Sequence, residues 1–178
     1  LISQDKANAV IGSFTCRSAL KYGIEKPNIF CQEPLKYILH VDLNTRYDFK
    51  EFFVKKVKSI LNENRMLNTK QPLLMKGFQT SGNLFDIQSD FTDKIQKTIR
   101  LEIEKYKINF KNSEEGLIKK WPDEYTLYGW LISMKSGGQL QPHIHNQGWL
   151  SGSIYINIPS KSEANSGNLV VSLGEEKD

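Results

Sequence analysis

Two of the chain's three histidines, His143 and His145, stand two residues apart in "QLQPHIHNQGWLSGSIYINIP", residues 139–159. Neutral imidazole is the commonest side-chain ligand for transition metals. On an extended chain, residues two apart point the same way, so both rings could reach one ion and form half of a metal site. Pro142 stiffens the entry to the pair, and Gly137 and Gly138 allow a close turn before it. The competing expectation is ordinary: each histidine alone would be a surface or hydrogen-bonded residue. His40 is the third histidine, far away in sequence. It fits a polar or surface role better than that of a third ligand.

Other residue types offer less chemistry. Cys16 and Cys31 have fourteen residues between them and no further ligand spacing around them. They read as two reduced thiols of a cytoplasmic protein rather than as a disulfide or a metal site. Trp121, Trp130 and Trp149 read as core or rim, with Trp149 of interest because it follows the histidines. The net charge is +4, from 24 basic and 20 acidic residues, and the lysines are scattered. That balance argues against a nucleic-acid partner. No apolar run approaches spanning length and no secretory leader is visible, so no membrane partner is expected. The sequence leaves the oligomeric state open, a homodimer included.

The elements that must position the histidines fall into two parts. Apolar spacing predicts a helix within residues 6–22, ended by Gly23. "DFKEFFVKKVKSILNENRM" predicts an amphipathic helix with Phe49, Phe52, Phe53, Val57, Ile60 and Leu61 inward and Asp48 as its cap. "QPLLMKGFQTSGNLF" reads as irregular. A second long helix is predicted from about Ser89 to Phe110, through Phe91, Ile95, Ile99, Ile103 and Tyr106, with Ser89 or Asp90 as cap. After Pro122 the period changes to two. Leu127, Gly129, Leu131 and Ser133 oppose Tyr128, Trp130, Ile132 and Met134 in a strand ended by Gly137-Gly138. A second strand is predicted in "GWLSGSIYINIP" and a third in "NLVVSL". Helices first and strands second make an α+β chain. It is expected to be a single domain, with a helical part at about 1–120 and a β part at about 121–178.

A Gly-x5-His-x-His pattern, with Gly137 as its glycine, also opens the metal motif of cupins. That motif needs a glutamate where Trp149 or Leu150 stands, which counts against a cupin-type metalloenzyme.

The run "GWLISMKSGGQLQPHIHNQGWLSGSIYINIP" resembles the double-stranded β-helix core of the iron(II)/2-oxoglutarate-dependent oxygenases, in the subgroup often found behind tetratricopeptide repeats. The resemblance extends upstream through "QPLLMKGFQTSGNLF" and "FCQEPLKYI", from about residue 10 onward. It implies helices packed on a jelly-roll core, with Fe(II) as metal and 2-oxoglutarate as cosubstrate, hydroxylating an unactivated C–H bond of an unknown primary substrate. The family's usual ligands are two histidines and one carboxylate. By resemblance the first is His143. The carboxylate normally stands where this chain has His145, so His145 either binds the metal or shapes the site. Tyr155 matches a position where relatives place a cosubstrate-binding tyrosine, and Asn157 shares its face. No histidine follows His145 and no arginine follows Arg100, although the family places a distal histidine and a carboxylate-binding arginine on later strands. With Leu1 first and Asp178 last, the chain reads as a C-terminally truncated front part with little activity of its own. The alternative is a non-catalytic jelly-roll binding module.

Overall fold

The computed structural model describes residues 8–23, 27–47, 49–62, 71–145, 147–161 and 163–174, with backbone alone at 50, 51 and 58–62. The described elements are helices α1 (Ala9–Tyr22), α2 (Phe49–Asn62), α3 (Asp90–Asn109) and α4 (Gly116–Lys119) and strands β1 (Leu74–Gln79) and β2 (Ile132–Leu140). Short 3₁₀ turns lie at Pro34–Tyr37, Leu43–Thr45 and Leu84–Asp86. The fold class is α+β, with one two-stranded antiparallel sheet among the described residues. No described helix is long and apolar enough to cross a membrane.

The chain divides into two compact units. One holds Leu1–Val41, Tyr106–Asp123 and His145–Asp178, and the other holds Asp42–Lys105 and Glu124–Ile144.

In the second unit α2 and α3 bury part of the stripes that their spacing predicts, with Phe52, Ile99 and Ile103 half-buried. Phe49, Phe53, Val57, Phe91 and Ile95 are all buried. Phe53 meets Phe91 edge to face at 5.6 Å between centroids. Each such side chain contributes about 1.5–3 kcal/mol by leaving water. Ser89 starts α3: its Oγ accepts from Thr92 N at 3.2 Å, and Ser89 N donates to Thr92 Oγ1 at 3.1 Å. This is a reciprocal box with threonine in the role usually taken by a glutamate. The expected cap of α2, Asp48, and the side chains of Ile60 and Leu61 lie outside the described residues.

Two strand expectations are corrected. "QPLLMKGFQTSGNLF" is not irregular throughout, since it contains β1, which pairs antiparallel with β2. Nor do Gly137 and Gly138 end a strand. Between the pairs Met75–Gln139 and Gly77–Met134, β1 advances by Lys76 alone while β2 runs through residues 135–138. The glycines supply that bulge: Gly137 has φ +69°, and a Cβ on Gly138 would stand 2.9 Å from Lys135 O. Lys76 opposite takes φ +49°.

Residues 125–131 keep the predicted alternation, with Leu131 buried and Tyr128 and Trp130 exposed. Main-chain and side-chain groups together bind this segment: Thr80 N donates to Leu131 O at 3.0 Å and Leu84 N to Gly129 O at 2.8 Å. Thr80 Oγ1 accepts from Leu131 N, and Asn83 Oδ1 accepts from Gly129 N, both at 3.0 Å.

The strands expected at 148–159 and 168–173, and with them a jelly-roll core, are not among the described elements. A strand exists only where a neighbour pairs its N–H and C=O groups. Here Leu169, Val170 and Val171 are exposed, Val170 by 80%.

Glu102 gathers charge on α3. Arg46 and Lys105 pair with it, and Tyr47 Oη donates to its Oε1 at 2.8 Å. Burial by itself raises the Glu102 carboxyl. The hydrogen bonds from Lys105 and Tyr47 and the Arg46 charge outweigh burial and hold its pKa below the ordinary range. A depressed carboxylate stabilises the fold above its unfolded pKa and loses that contribution as pH falls through its folded pKa. Urea titrations of the wild type and Glu102→Gln should therefore differ at pH 7 and converge as pH drops below the ordinary glutamate range. A difference independent of pH would rule the charge network out as its cause.

Candidate metal centre

In the first unit, residues 28–37, 110–121 and 149 form a connected cluster. Leu117 N donates to Phe30 O at 2.7 Å. Gln32 N donates to Glu115 Oε2 at 3.0 Å, and Tyr37 and Ser113 share a hydrogen bond of 2.6 Å. Tyr106 Oη donates to Tyr37 O at 2.8 Å, and burial pushes the Tyr106 phenol up to about 12, so it stays protonated. Trp149 joins the cluster. Its Nε1 donates to Leu117 O at 3.0 Å, and its ring meets Phe30 edge to face at 5.0 Å. Trp149 is thus an anchor for the chain just after the histidines.

Cys31 offers no nucleophile here. Cys16 and Cys31 are both free thiols. Burial first, then the Glu115 charge, pushes Cys31 up to about 11, so it carries almost no thiolate at neutral pH. Cys16 Sγ accepts from Asn28 Nδ2 at 3.2 Å.

The two candidate ligands lie past the end of β2, and both are exposed. The period-two argument for a strand therefore does not reach them. His143 falls in the unit that holds the sheet, and His145 in the other. Their pairing rests on sequence spacing. What the structure adds is the surroundings of each ring. His143 Nδ1 lies 2.8 Å from Gln141 O. A carbonyl only accepts, so Nδ1 carries the proton and, in the neutral ring, the lone pair is on Nε2. A ligating histidine needs that arrangement, its outer nitrogen donating to a carbonyl or carboxylate. The donor chemistry of His143 therefore fits a metal. His145 Nδ1 lies 3.0 Å from Ser151 Oγ, and its carbonyl accepts from Gly148 N at 3.1 Å.

The rest of a ligand set is not found beside them. Among the described residues no group of three or more His, Cys, Asp or Glu is arranged to hold a metal ion. His40 is exposed in the loop after the 3₁₀ turn at Pro34–Tyr37. Tyr155 and Asn157 are both exposed, with half-buried Ile154 and Ile156 alternating around them. Trp130 and Met134 are also exposed, and Trp130 packs edge to face on Tyr128 at 5.1 Å.

Sequence reasoning missed Gln141 O and Ser151. A main-chain carbonyl leaves no mark in residue types, and a serine six positions on has no short-range signature. Asn83 and Thr80 were missed for the same reason.

No curated protein and no solved structure was found to match the chain. The segment that contains both histidines, Trp149, Ser151, Tyr155 and Asn157, residues 128–175, matches the model of the family described as "Putative 2OG-Fe(II) oxygenase", which supports the oxygenase family for this part of the chain.

Proposed function

We propose that this chain carries the metal-binding segment of a non-haem iron(II), 2-oxoglutarate-dependent dioxygenase of the hydroxylase type, part of a single oxygenase domain working in the cytoplasm. The match of residues 128–175 to the oxygenase family is the observation that carries this reading. The His143 tautomer set by Gln141 O supports it. His143 would be the first ligand through Nε2, and His145 the second. Tyr155 and Asn157 would face the cosubstrate. When bound, iron(II) with 2-oxoglutarate and O₂ supplies an oxidant that can hydroxylate a C–H bond, with succinate and CO₂ as the other products. The chain's own part is to present the His143 imidazole with its Nδ1 proton held by Gln141 O, together with His145.

One observation favours a second reading. The lack of a three-donor group among the described residues suits a non-catalytic binding module.

Anaerobic iron(II) titration, with and without 2-oxoglutarate, separates these. The proposal expects a single iron per chain whose binding tightens when 2-oxoglutarate is added, with little or no succinate release in air. Tight metal binding indifferent to 2-oxoglutarate would point to a cupin-type metalloenzyme. No metal binding would leave the binding module.

A further inference from the structure

We infer that Met75 is a site of reversible oxidation, a thioether held between two carboxamides that a peroxide converts to the sulfoxide. The site involves neither histidine and no metal, and all of its residues belong to the unit that holds the sheet.

Strand register builds the site. Met75 on β1 lies opposite Gln139 on β2. Gln141 N donates to Leu73 O at 2.9 Å, so the pairing runs one step past the end of β2. Residues two apart on an extended chain share a face, so the side chains of Gln139 and Gln141 meet Met75 on one side of the ladder. Gln141 Nε2 lies 3.4 Å from the Met75 sulfur, and Gln139 Nε2 lies 3.6 Å from it. Only the NH₂ end of a carboxamide donates, so both glutamines turn donors toward the sulfur. A thioether is a weak acceptor and makes little use of them. A sulfoxide oxygen on the same atom is a strong acceptor and would engage both.

The donors also act on the reaction. A sulfur lone pair forms the S–O bond as the O–O bond of hydrogen peroxide breaks. The sulfur gives up two electrons, and the peroxide takes them and leaves as water. Negative charge builds on the peroxide oxygens meanwhile, and N–H groups beside the sulfur meet it. Met75 is 50% exposed, so a peroxide reaches it. Met134 on β2 serves as the comparison within the same sheet. It is 46% exposed, and among the described residues no donor is placed on its sulfur. Access therefore does not separate the two methionines, and the glutamines do. Oxidation of a buried methionine disrupts a core, whereas here the new oxygen finds partners and fastens β1 to the end of β2. Methionine sulfoxide reductases reverse the change, so the fastening can be released.

Dilute hydrogen peroxide on the whole chain, followed by mass spectrometry of tryptic peptides, tests this. Met75 falls in residues 71–76 and Met134 in residues 121–135, so each is read separately. Fragment spectra assign the oxygen to Met134 rather than to Trp121 or Trp130. Met75 should gain one oxygen several times faster than Met134. Gln139→Ala combined with Gln141→Ala should remove that lead. The smaller side chains widen access to Met75, so a slower reaction there reports the lost donors. In the oxidised wild type the side-chain amide signals of Gln139 and Gln141 should shift. Hydrogen exchange at Gln141 N should slow about fivefold, the effect of one added hydrogen bond. Both changes should revert with a methionine sulfoxide reductase and be absent from peroxide-treated Met75→Leu. Equal oxidation of Met75 and Met134 in the wild type overturns the inference, and so does a lead that survives the double alanine variant. Unmoved Gln139 and Gln141 amide signals in the oxidised wild type overturn it without any variant.

Discussion

Replacing His143 by alanine should cost the chain more than about 100-fold in iron(II) or cobalt(II) affinity, beyond what loss of an outer hydrogen-bond partner does. The reason is donor chemistry. His143 is the ring whose Nδ1 proton is held by a main-chain carbonyl, so its Nε2 lone pair is set before metal arrives. Without it one imidazole of the pair remains, on an exposed residue with a rotating hydroxyl as partner. Folding stability should stay within about 0.5 kcal/mol, because His143 is exposed and outside every helix and strand. A second variant sharpens the expectation. The tether comes from the carbonyl of Gln141, so Gln141→Ala keeps it and should bind metal as the wild type does. Its side chain meets the Met75 sulfur instead. Calorimetric titration of the three proteins decides the matter: equal affinity for wild type and His143→Ala removes His143 from the ligand set.

Phe53→Ala should destabilise the unit that holds α2 by about 3–5 kcal/mol, the range for deleting a buried aromatic ring. Only 1% of Phe53 is exposed. Its ring lies 4.3 Å from that of Phe49, 5.1 Å from that of Phe52 and 5.6 Å from that of Phe91. Removing it opens a cavity among three rings and cuts the aromatic tie between α2 and α3. Domains are stable by only about 5–15 kcal/mol, so this variant should be marginal near body temperature. Urea unfolding followed by circular dichroism measures the loss. A double-mutant cycle with Phe91→Ala should give a coupling of about 0.5–1.5 kcal/mol, as expected for an edge-to-face pair. A loss under about 1 kcal/mol for Phe53→Ala would mean that other contacts join the two helices.

How far the sequence reaches depends on the range of the interaction concerned. The helices α1, α2 and α3 were legible because their causes are local: apolar residues every three or four positions, a serine before Asp90, and a glycine at position 23 with φ +64° that ends α1. The inward and outward sides of 125–131 were legible for the same reason, since alternation is a property of neighbours.

Strands were not legible in the same way, because a strand is a relation between distant segments. "LMKGFQ" has little alternation, yet it forms β1 because residues 132–140 pair with it. "SGSIYINI" alternates well and is no strand among the described residues, because alternation supplies no hydrogen-bond partner. The Gly137-Gly138 pair looked like a stop and serves as a bulge, a distinction made by Lys76 across the ladder.

The candidate site divides along the same line. By itself the sequence determined the residue types and the two-residue spacing of His143 and His145, and hence the metal chemistry to expect. The path of the folded chain then brings Gln141 O to Nδ1 of His143 and Ser151 Oγ to Nδ1 of His145. Gln141 O, Ser151 and the Trp149 anchor act through hydrogen bonds a few ångströms long, whose partners are chosen by the path of the chain rather than by residue type.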